Sequence, residues 1–164
     1  MVLIIVLIIL GILDIFFILR LKNVNSQYKR TQLSLERVKI NEQILKEWLL
    51  LKQMDIRICD WLRDNNIHNI AIYGFGDLGQ ALYNEVKRDS IECSYIIDKN
   101  YFNIVCEAKT IGLDDIYELD VDAIIISVIN YYDEIESEIM KRCKLPIISL
   151  EDIIYGVGIN DDKQ

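Results

Sequence analysis

The chain has 164 residues, a net charge of −8, four cysteines and one histidine. This length accommodates one domain of ordinary size and an additional segment. Residues 20–55 hold eight basic and four acidic side chains, whereas residues 56–164 hold ten and twenty-one. Because an acidic domain repels phosphate backbones, we expect no nucleic-acid partner. One histidine and cysteines without a C-x-x-C pair predict no metal site, and buried free thiols in a reducing compartment.

The first predicted element is a transmembrane anchor over residues 1–21. Nineteen residues precede the first basic side chain, and 16 of them are Leu, Ile, Val or Phe. As a helix they would span roughly 28 Å, about the hydrocarbon thickness of a bilayer. Insertion of the apolar residues gains roughly 5–10 kcal/mol, against about 3 kcal/mol for Asp14. Asp14 either reaches the cytoplasmic headgroups or pairs with a partner helix.

Basic residues follow the anchor and set its predicted orientation. They are Arg20, Lys22, Lys29 and Arg30. The positive-inside rule then predicts a single-pass protein of the cell membrane, with its N-terminus outside and its globular domain in the cytoplasm.

A helical collar is predicted over residues 22–65. Residues 26–54 contain no Pro and no Gly, and their apolar residues recur at helical spacing. No heptad pattern is evident over three full repeats, which favours a long amphipathic helix, open to dimerisation, over a committed coiled coil. A second helical segment follows, and "RDNN" at Arg63–Asn66 ends it.

A globular domain is predicted over residues 66–156, with a flexible tail at 157–164. Its short apolar runs are "NIAIY" at 69–73, "CSYII" at 93–97, "NIVC" at 103–106, "VDAIIIS" at 121–127 and "LPIIS" at 145–149. Amphipathic helices are predicted at 77–88 and 132–143. Apolar strands that alternate with helices indicate an α/β fold with a small five-stranded parallel sheet and helices on both faces.

The stretch "GFGDLG", Gly74–Gly79, is the strongest candidate binding motif. It follows a predicted strand and opens a predicted helix, and Asp98 ends the next strand. In a dinucleotide-binding turn, Gly74 makes the tight turn, Gly76 admits a phosphate, and Gly79 lets helix and sheet pack closely. The helix N-terminus attracts phosphate, and Asp98 accepts hydrogen bonds from ribose hydroxyls.

The predicted cofactor-binding set is Gly74, Phe75, Gly76, Asp77, Leu78, Gly79, Asp98, Lys99 and Ser127. Two readings of the motif remain open, because these glycines can also serve only to shape a strand–helix turn. Asp77 places a negative charge where a phosphate would lie, and Lys99 leaves the choice between NAD and NADP open. Ser127, Asn130 and Tyr131 follow the fourth strand, where Asn130 either contacts a ligand or caps the next helix.

A catalytic constellation is not evident in the sequence. "YNEVK", Tyr83–Lys87, matches the Y-x-x-x-K pair of short-chain dehydrogenases, but it lies directly after the glycine loop and is interpreted as a chance match. The sequence contains no G-x-S-x-G, no histidine-based triad and no P-loop lysine. We therefore expect neither catalytic residues nor a metal.

The segments "IAIYGFGDLGQALYNEV", "YIIDKN" and "PIISLEDIIY" resemble a Rossmann-like domain of bacterial surface-polysaccharide proteins. The resemblance is to the domain that precedes the catalytic part of membrane-anchored nucleotide-sugar epimerases and dehydratases, and it covers about residues 48–155. It implies a nucleotide-type fold with Gly74, Gly76, Gly79 and Asp98 at the motif positions. It implies no activity, because the sequence contains no such catalytic domain.

These predictions describe an accessory protein of surface-polysaccharide biosynthesis. Its expected ligand is NAD(P) or a nucleotide-sugar, and its expected protein partner is a glycosyltransferase or a dehydratase. A homodimer through the collar is a further expectation. Two alternatives are a ligand-free membrane scaffold and a minimal NAD-dependent oxidoreductase, whose proton-transfer groups we cannot place.

Overall fold

A computed structural model describes the backbone of residues 2–160 and the side chains of residue 11 and of residues 14–157. The chain divides into two compact units, Met1–Lys39 and Ile40–Gln164. Helix α1 (Val2–Gln53) begins in the first unit and ends in the second. Each unit is described below by itself.

The predicted transmembrane anchor falls in the first unit. Most of its side chains, those of residues 1–10, 12 and 13, lie outside the described residues. In the part of the chain that is described, no helix is both long enough and apolar enough to cross a bilayer. The anchor therefore stays a prediction.

The second unit contains a five-stranded parallel sheet in the order β3-β2-β1-β4-β5. Its strands are β1 (Asn69–Tyr73), β2 (Glu92–Ile97), β3 (Lys109–Ile111), β4 (Ala123–Ile126) and β5 (Ile147–Ser149). Its further helices are α2 (Ile58–Asp64), α3 (Asp77–Val86), α4 (Tyr132–Met140) and α5 (Leu150–Asn160). Short 3-10 helices lie at Tyr101–Asn103, Leu113–Asp115 and Ile129–Tyr131. The predicted α/β architecture is confirmed.

Helices cover both faces of the sheet, as the sequence predicts. Alternate side chains of a strand point to opposite faces, so Ile70 and Ile72 join one core while Ala71 and Tyr73 join another. The first core includes side chains of α2, α3, α5 and the end of α1. The second includes Ile139 of α4. β1 and β4 are thereby buried at the centre of the sheet.

The C-terminal end of α1 belongs to the core of the second unit. Ile44, Trp48 and Leu51 are buried in the same cluster as β1 and α3. Residues 40–53, which the sequence analysis assigned to the collar, are therefore part of the folded domain. Spacing of three and four residues places these side chains on one helix face.

Three details of the sequence analysis are wrong. The third strand is Lys109–Ile111 and not 103–106, since Val105 is 97% exposed and β3 is an edge strand with a single buried residue. Helix α5 continues through residues 157–160 of the predicted tail, because Val157 is buried; residues 161–164 lie outside the described residues. All four cysteines are free as predicted, but only Cys59 is fully buried, and burial raises the pKa of its thiol to about 12.

An ion-pair cluster joins α2 to the end of α3. The guanidinium groups of Arg57 and Arg63 both donate to the carboxylates of Asp60 and Asp89, with 2.9 Å between Arg57 Nη1 and Asp89 Oδ2. Asp89 Oδ1 also accepts a hydrogen bond from the Ser90 amide at 2.7 Å. The Ser90 amide and the Arg63 guanidinium hold the pKa of Asp89 below its usual value.

This lowered pKa predicts a pH-dependent contribution to stability. A carboxyl group with a lower pKa in the folded state stabilises the fold above its unfolded pKa of about 3.9, and the stabilisation is lost as the pH falls further. Asp89→Asn should therefore lower the melting temperature by a few degrees at pH 6, and the difference from wild type should shrink below about pH 4. Asp64→Asn, a change at an exposed position at the end of α2, serves as the control in the thermal melts. A difference that is constant between pH 6 and pH 3 would contradict the assignment.

Candidate functional site

The candidate site lies at the carboxyl ends of the two central strands. β1 is paired with β2 on one side and with β4 on the other, so the strand order reverses direction between β1 and β4. The Ser127 amide, directly after β4, donates to the Tyr73 carbonyl at 3.0 Å. In open parallel sheets ligands bind at such a switch point.

Gly74 makes the turn out of β1 in a left-handed conformation. Its φ is +90°, which residues with a side chain rarely adopt. Its amide donates to the Ile97 carbonyl at 2.8 Å, and a Cβ placed on it would lie 2.4 Å from Val128 Cγ2. The predicted role of Gly74 in a tight turn agrees with this geometry.

Gly79 allows α3 to approach the end of β1. A Cβ on Gly79 would lie 2.1 Å from the carbonyl oxygen of Gly74 and 3.0 Å from Ser127 Oγ. Neither a backbone carbonyl nor a buried hydroxyl can move away cheaply. The helix can therefore pack here only through a residue without a side chain, as the sequence analysis expects.

Gly76, unlike Gly74 and Gly79, has space for a side chain. It precedes α3 with φ −73°, a backbone conformation open to any residue, and a Cβ on it would meet nothing within 4 Å. In the described part of the chain, no acceptor is bonded to the amides of Gly76, Asp77 and Leu78 at the start of α3. These N–H groups and the helix dipole form an anion-binding position in principle.

Asp77 and Leu78 have different surroundings. The Asp77 side chain is exposed at the first position of α3, whereas Leu78 is buried in the core beneath the sheet. Leu78 can offer a ligand only its backbone amide. The Asp77 carboxylate adds a negative charge beside the same helix end.

Asp98 connects the loops that follow β1 and β2. Its Oδ2 accepts a hydrogen bond from the Phe75 amide and its Oδ1 one from the Asn100 amide, both at 2.8 Å. Each carboxylate oxygen can accept a second bond. Asp98 thus fixes the shape of the glycine loop and still has acceptor positions for ribose hydroxyls.

The hydrogen bond from the Asn100 amide to the Asp98 carboxylate was not among the predictions. This is an Asx-turn, and "DKN" at the end of a strand is a signal for it. The hydrogen bond from the Phe75 amide to Asp98 joins two separate loops, so no local sequence pattern indicates it.

The Ser127 side chain contacts the backbone of the glycine loop. It is buried, and its hydroxyl lies 2.9 Å from the Gly74 carbonyl and 3.1 Å from the Tyr73 carbonyl, to which it donates. Its predicted contact with a ligand stays a prediction. Lys99, directly after Asp98, is exposed.

Asn130 does not cap α4, which corrects one of the two open readings. The residue before α4 is Tyr131, and α4 has no side-chain cap. Asn130 lines a cavity of about 350 Å³ beyond the ends of β4 and β5. The other residues around this cavity include Asp133, Glu134, Glu151 and Asp152. In the described chain, no three His, Cys, Asp or Glu side chains are placed to hold a metal ion.

Tyr83 and Lys87, the pair that matches a dehydrogenase motif, both bind Glu107. The Tyr83 hydroxyl accepts a hydrogen bond of 3.1 Å from the Glu107 amide, and Lys87 Nζ lies 2.7 Å from Glu107 Oε1. The Glu107 carboxylate raises the pKa of the Lys87 ammonium. These side chains border a cleft of about 430 Å³ between α3 and residues 105–107, which Phe75 also lines. Their role is to hold the β2–β3 connection against α3.

Comparison with known proteins gives one family and one weakly similar solved structure. Residues 66–147 match the family described as C2185-like, N-terminal. No curated protein matches the chain. A solved structure described as "Crystal structure of RSP in complex with beta-NAD+ and operator DNA" aligns with 16% identity and a TM-score of 0.40, covering 76% of this chain and 88% of that chain. A likeness of this size carries no conclusion about ligands.

Proposed function

The chain belongs to the C2185-like, N-terminal family, and we propose that its Rossmann-like domain binds a nucleotide-type small molecule at the glycine loop. The ligand we propose is NAD(P) or a nucleotide-sugar. Its phosphate would lie at the start of α3 and its ribose beside Asp98.

The single observation that carries this proposal is the free space at Gly76. Gly74 and Gly79 are explained by the fold, because a Cβ on either would collide with atoms of the domain. Gly76 has no such reason, since its φ is ordinary and its surroundings are open. At a helix N-cap, Ser, Asp or Asn is favoured over glycine by roughly a few tenths of a kcal/mol. Close approach of a ligand to the backbone explains a glycine here.

The surrounding groups support the same assignment. Unbonded amides at the start of α3 can donate to phosphate oxygens, and Asp98 keeps acceptor positions for ribose hydroxyls. The acidic cavity beyond β4 and β5 disfavours phosphate at that end of the site. The phosphate is therefore assigned to the α3 side of the switch point.

The wider role that we propose is that of a membrane-anchored accessory protein in surface-polysaccharide assembly. Its support is the apolar N-terminal segment and the resemblance of "IAIYGFGDLGQALYNEV" to domains of that pathway. Nucleotide binding by the domain does not depend on this setting.

A thermal-shift panel with the full chain in a mild detergent tests the binding proposal. The full chain is used because α1 contributes Ile44, Trp48 and Leu51 to the domain core. The panel contains NAD, NADP, S-adenosylmethionine, CoA and several UDP- and GDP-sugars. A ligand at 100 times its Kd should stabilise the fold by roughly 2.7 kcal/mol, and Gly76→Asp should abolish that shift.

The control variant is Asn66→Asp, which adds the same charge at an exposed position in the turn before β1. Because β1 runs from this turn to the glycine loop, the added charge lies at the amino end of the strand, opposite the glycine loop. Asn66→Asp should keep the full shift, and Gly76→Asp should melt like wild type without ligand. A panel without any shift, or a shift that survives Gly76→Asp, would overturn the proposal.

A further inference from the structure

An apolar stripe on α1 lies in the first unit and is separate from the glycine loop. Five of its side chains are between 53% and 62% exposed. They are Leu21, Val24, Tyr28, Leu35 and Val38. Monomeric soluble surfaces rarely leave a continuous row of this kind uncovered.

The spacing of the stripe is that of a coiled-coil seam. Counted in heptads, Leu21, Tyr28 and Leu35 occupy a positions, and Val24, Thr31 and Val38 occupy d positions. The next a position is Glu42, so the apolar repeat ends at Val38. A strict seven-residue repeat drifts around a straight helix, so it fits a second helix that supercoils with it.

The repeat at residues 21–38 is shorter than three full heptads, and a second apolar stripe follows it along the helix. Ile40, Ile44, Trp48 and Leu51 are also spaced by three and four residues, but they pack into the domain core. With these residues set aside, the exposed apolar side chains of residues 21–38 follow the repeat, with one exception. The exposed Leu33 falls at an f position, outside the seam.

The charges beside the stripe fit a partner with the same sequence. Every charged residue between 21 and 38 is at a b or c position, away from the seam: Lys22, Lys29, Arg30, Glu36 and Arg37. The e and g positions hold Asn25, Gln27, Gln32 and Ser34, which are uncharged. Like charges at e and g would oppose self-association, and residues 21–38 have none there; the nearest is Lys39, at the e position directly after this segment.

The polar atoms of the seam already have partners within the helix. Thr31 Oγ1 donates to the Gln27 carbonyl at 3.0 Å, and the Tyr28 hydroxyl accepts Gln32 Nε2 at 2.8 Å. Each hydroxyl oxygen of the seam thus already has one hydrogen-bond partner within the helix.

We propose that residues 21–38 form a parallel, in-register coiled coil with at least a second copy of this chain. Parallel alignment also suits the proposed membrane anchor, and this one step rests on the proposed function, because copies anchored in one membrane enter the coiled coil from the same end. The proposal does not depend on nucleotide binding.

Disulfide trapping with two leucines as a matched pair tests the inference. Leu35→Cys places a thiol at an a position, and Leu33→Cys places one on the outer face two residues earlier. In the full chain in mild detergent, mild oxidation should give at least fivefold more crosslinked dimer for Leu35→Cys than for Leu33→Cys or wild type. The native cysteines are the same in every sample and so do not affect the comparison.

Particle mass provides a second measurement. Leu35→Asp should reduce the protein mass of the detergent complex to that of one chain, while Leu33→Asp should leave it unchanged. Both positions are exposed, so neither change removes a core contact. Equal crosslinking of the two cysteine variants, or a wild-type monomer, would overturn the proposal. A lipid surface as the occupant of the stripe would give that result.

Discussion

Gly79→Ala should destabilise the domain by about 3 kcal/mol, the upper end of what overpacking usually costs. The new Cβ would lie 2.1 Å from the Gly74 carbonyl oxygen, so either α3 or the loop after β1 must move. Alanine gains about 1 kcal/mol in helix propensity, which offsets only part of this clash. The expected fall in melting temperature is about 10 °C.

Gly76→Ala is the matched control in the same loop. Its Cβ meets nothing within 4 Å, so the cost should be limited to about 1 kcal/mol, the usual cost of alanine at a helix N-cap. The melting temperature should fall by at most about 4 °C. Thermal unfolding of the two variants beside wild type compares them. Equal effects of the two substitutions would show that α3 does not pack against the Gly74 carbonyl as described.

Gly79 and Gly76 are glycines for different physical reasons. The clash at Gly79 concerns the fold, and the open space at Gly76 concerns whatever approaches from outside. A variant at Gly79 that loses a ligand has also lost the position of α3. Only Gly76 separates binding from folding.

Local patterns predicted much of the fold. β1 was placed at residues 69–73, as observed, because "NIAIY" is a short apolar run directly before glycines. The start of α3 at Asp77 follows from the same punctuation. These features depend on neighbouring residues only, and single sequences carry such information well.

The third strand could not be read from hydrophobicity. β3 is "KTI", an edge strand whose register with β2 pairs Ile97 with Ile111. Only Ile111 is buried, so the strand has no apolar run, whereas the apolar "NIVC" contains the almost fully exposed Val105. Residues 109–111 form a strand because they pair with β2, and such pairing depends on the tertiary structure.

The candidate site shows the same division. The tight turn at Gly74 and the close packing at Gly79 were predicted from the motif and agree with the geometry. The bond from the Phe75 amide to Asp98 depends on how closely two loops approach each other. The hydroxyl of Ser127 likewise meets the Gly74 carbonyl only because β4 lies beside β1. No spacing in the sequence reports either contact.

Glu85 is the second position at which we expect a large effect. Only 7% of the Glu85 side chain is exposed. Its carboxylate connects α3, on which it lies, to α1 and α2. Oε2 accepts a hydrogen bond from Trp48 Nε1 at 2.9 Å and lies 2.6 Å from Lys52 Nζ, both on α1. Oε1 accepts the Ile58 amide at the start of α2 at 3.2 Å, where the helix has no side-chain cap of its own.

Removal of this carboxylate leaves buried donors without acceptors. Glu85→Ala should destabilise the domain by about 3–4 kcal/mol, since breaking a buried charged network costs about 3–5 and the half-exposed Lys52 can be rehydrated. Glu85→Gln keeps the volume but loses one acceptor oxygen, and we expect about 2 kcal/mol. Thermal or urea unfolding of the full chain measures both variants.

A double-mutant cycle with Trp48→Phe isolates the most buried contact of Glu85. Trp48→Phe removes the indole N–H, so Glu85→Gln should be milder in that background by about 1.5 kcal/mol or more, the usual contribution of a hydrogen bond to a charged group. The control is Glu42→Gln, whose carboxylate lies 2.8 Å from Lys46 Nζ on the exposed surface of α1. An exposed pair contributes at most about 1 kcal/mol, so Glu42→Gln should be nearly neutral. If Glu85→Gln is as mild as Glu42→Gln, or if the cycle shows no coupling, Glu85 does not hold α1 and α2 against α3.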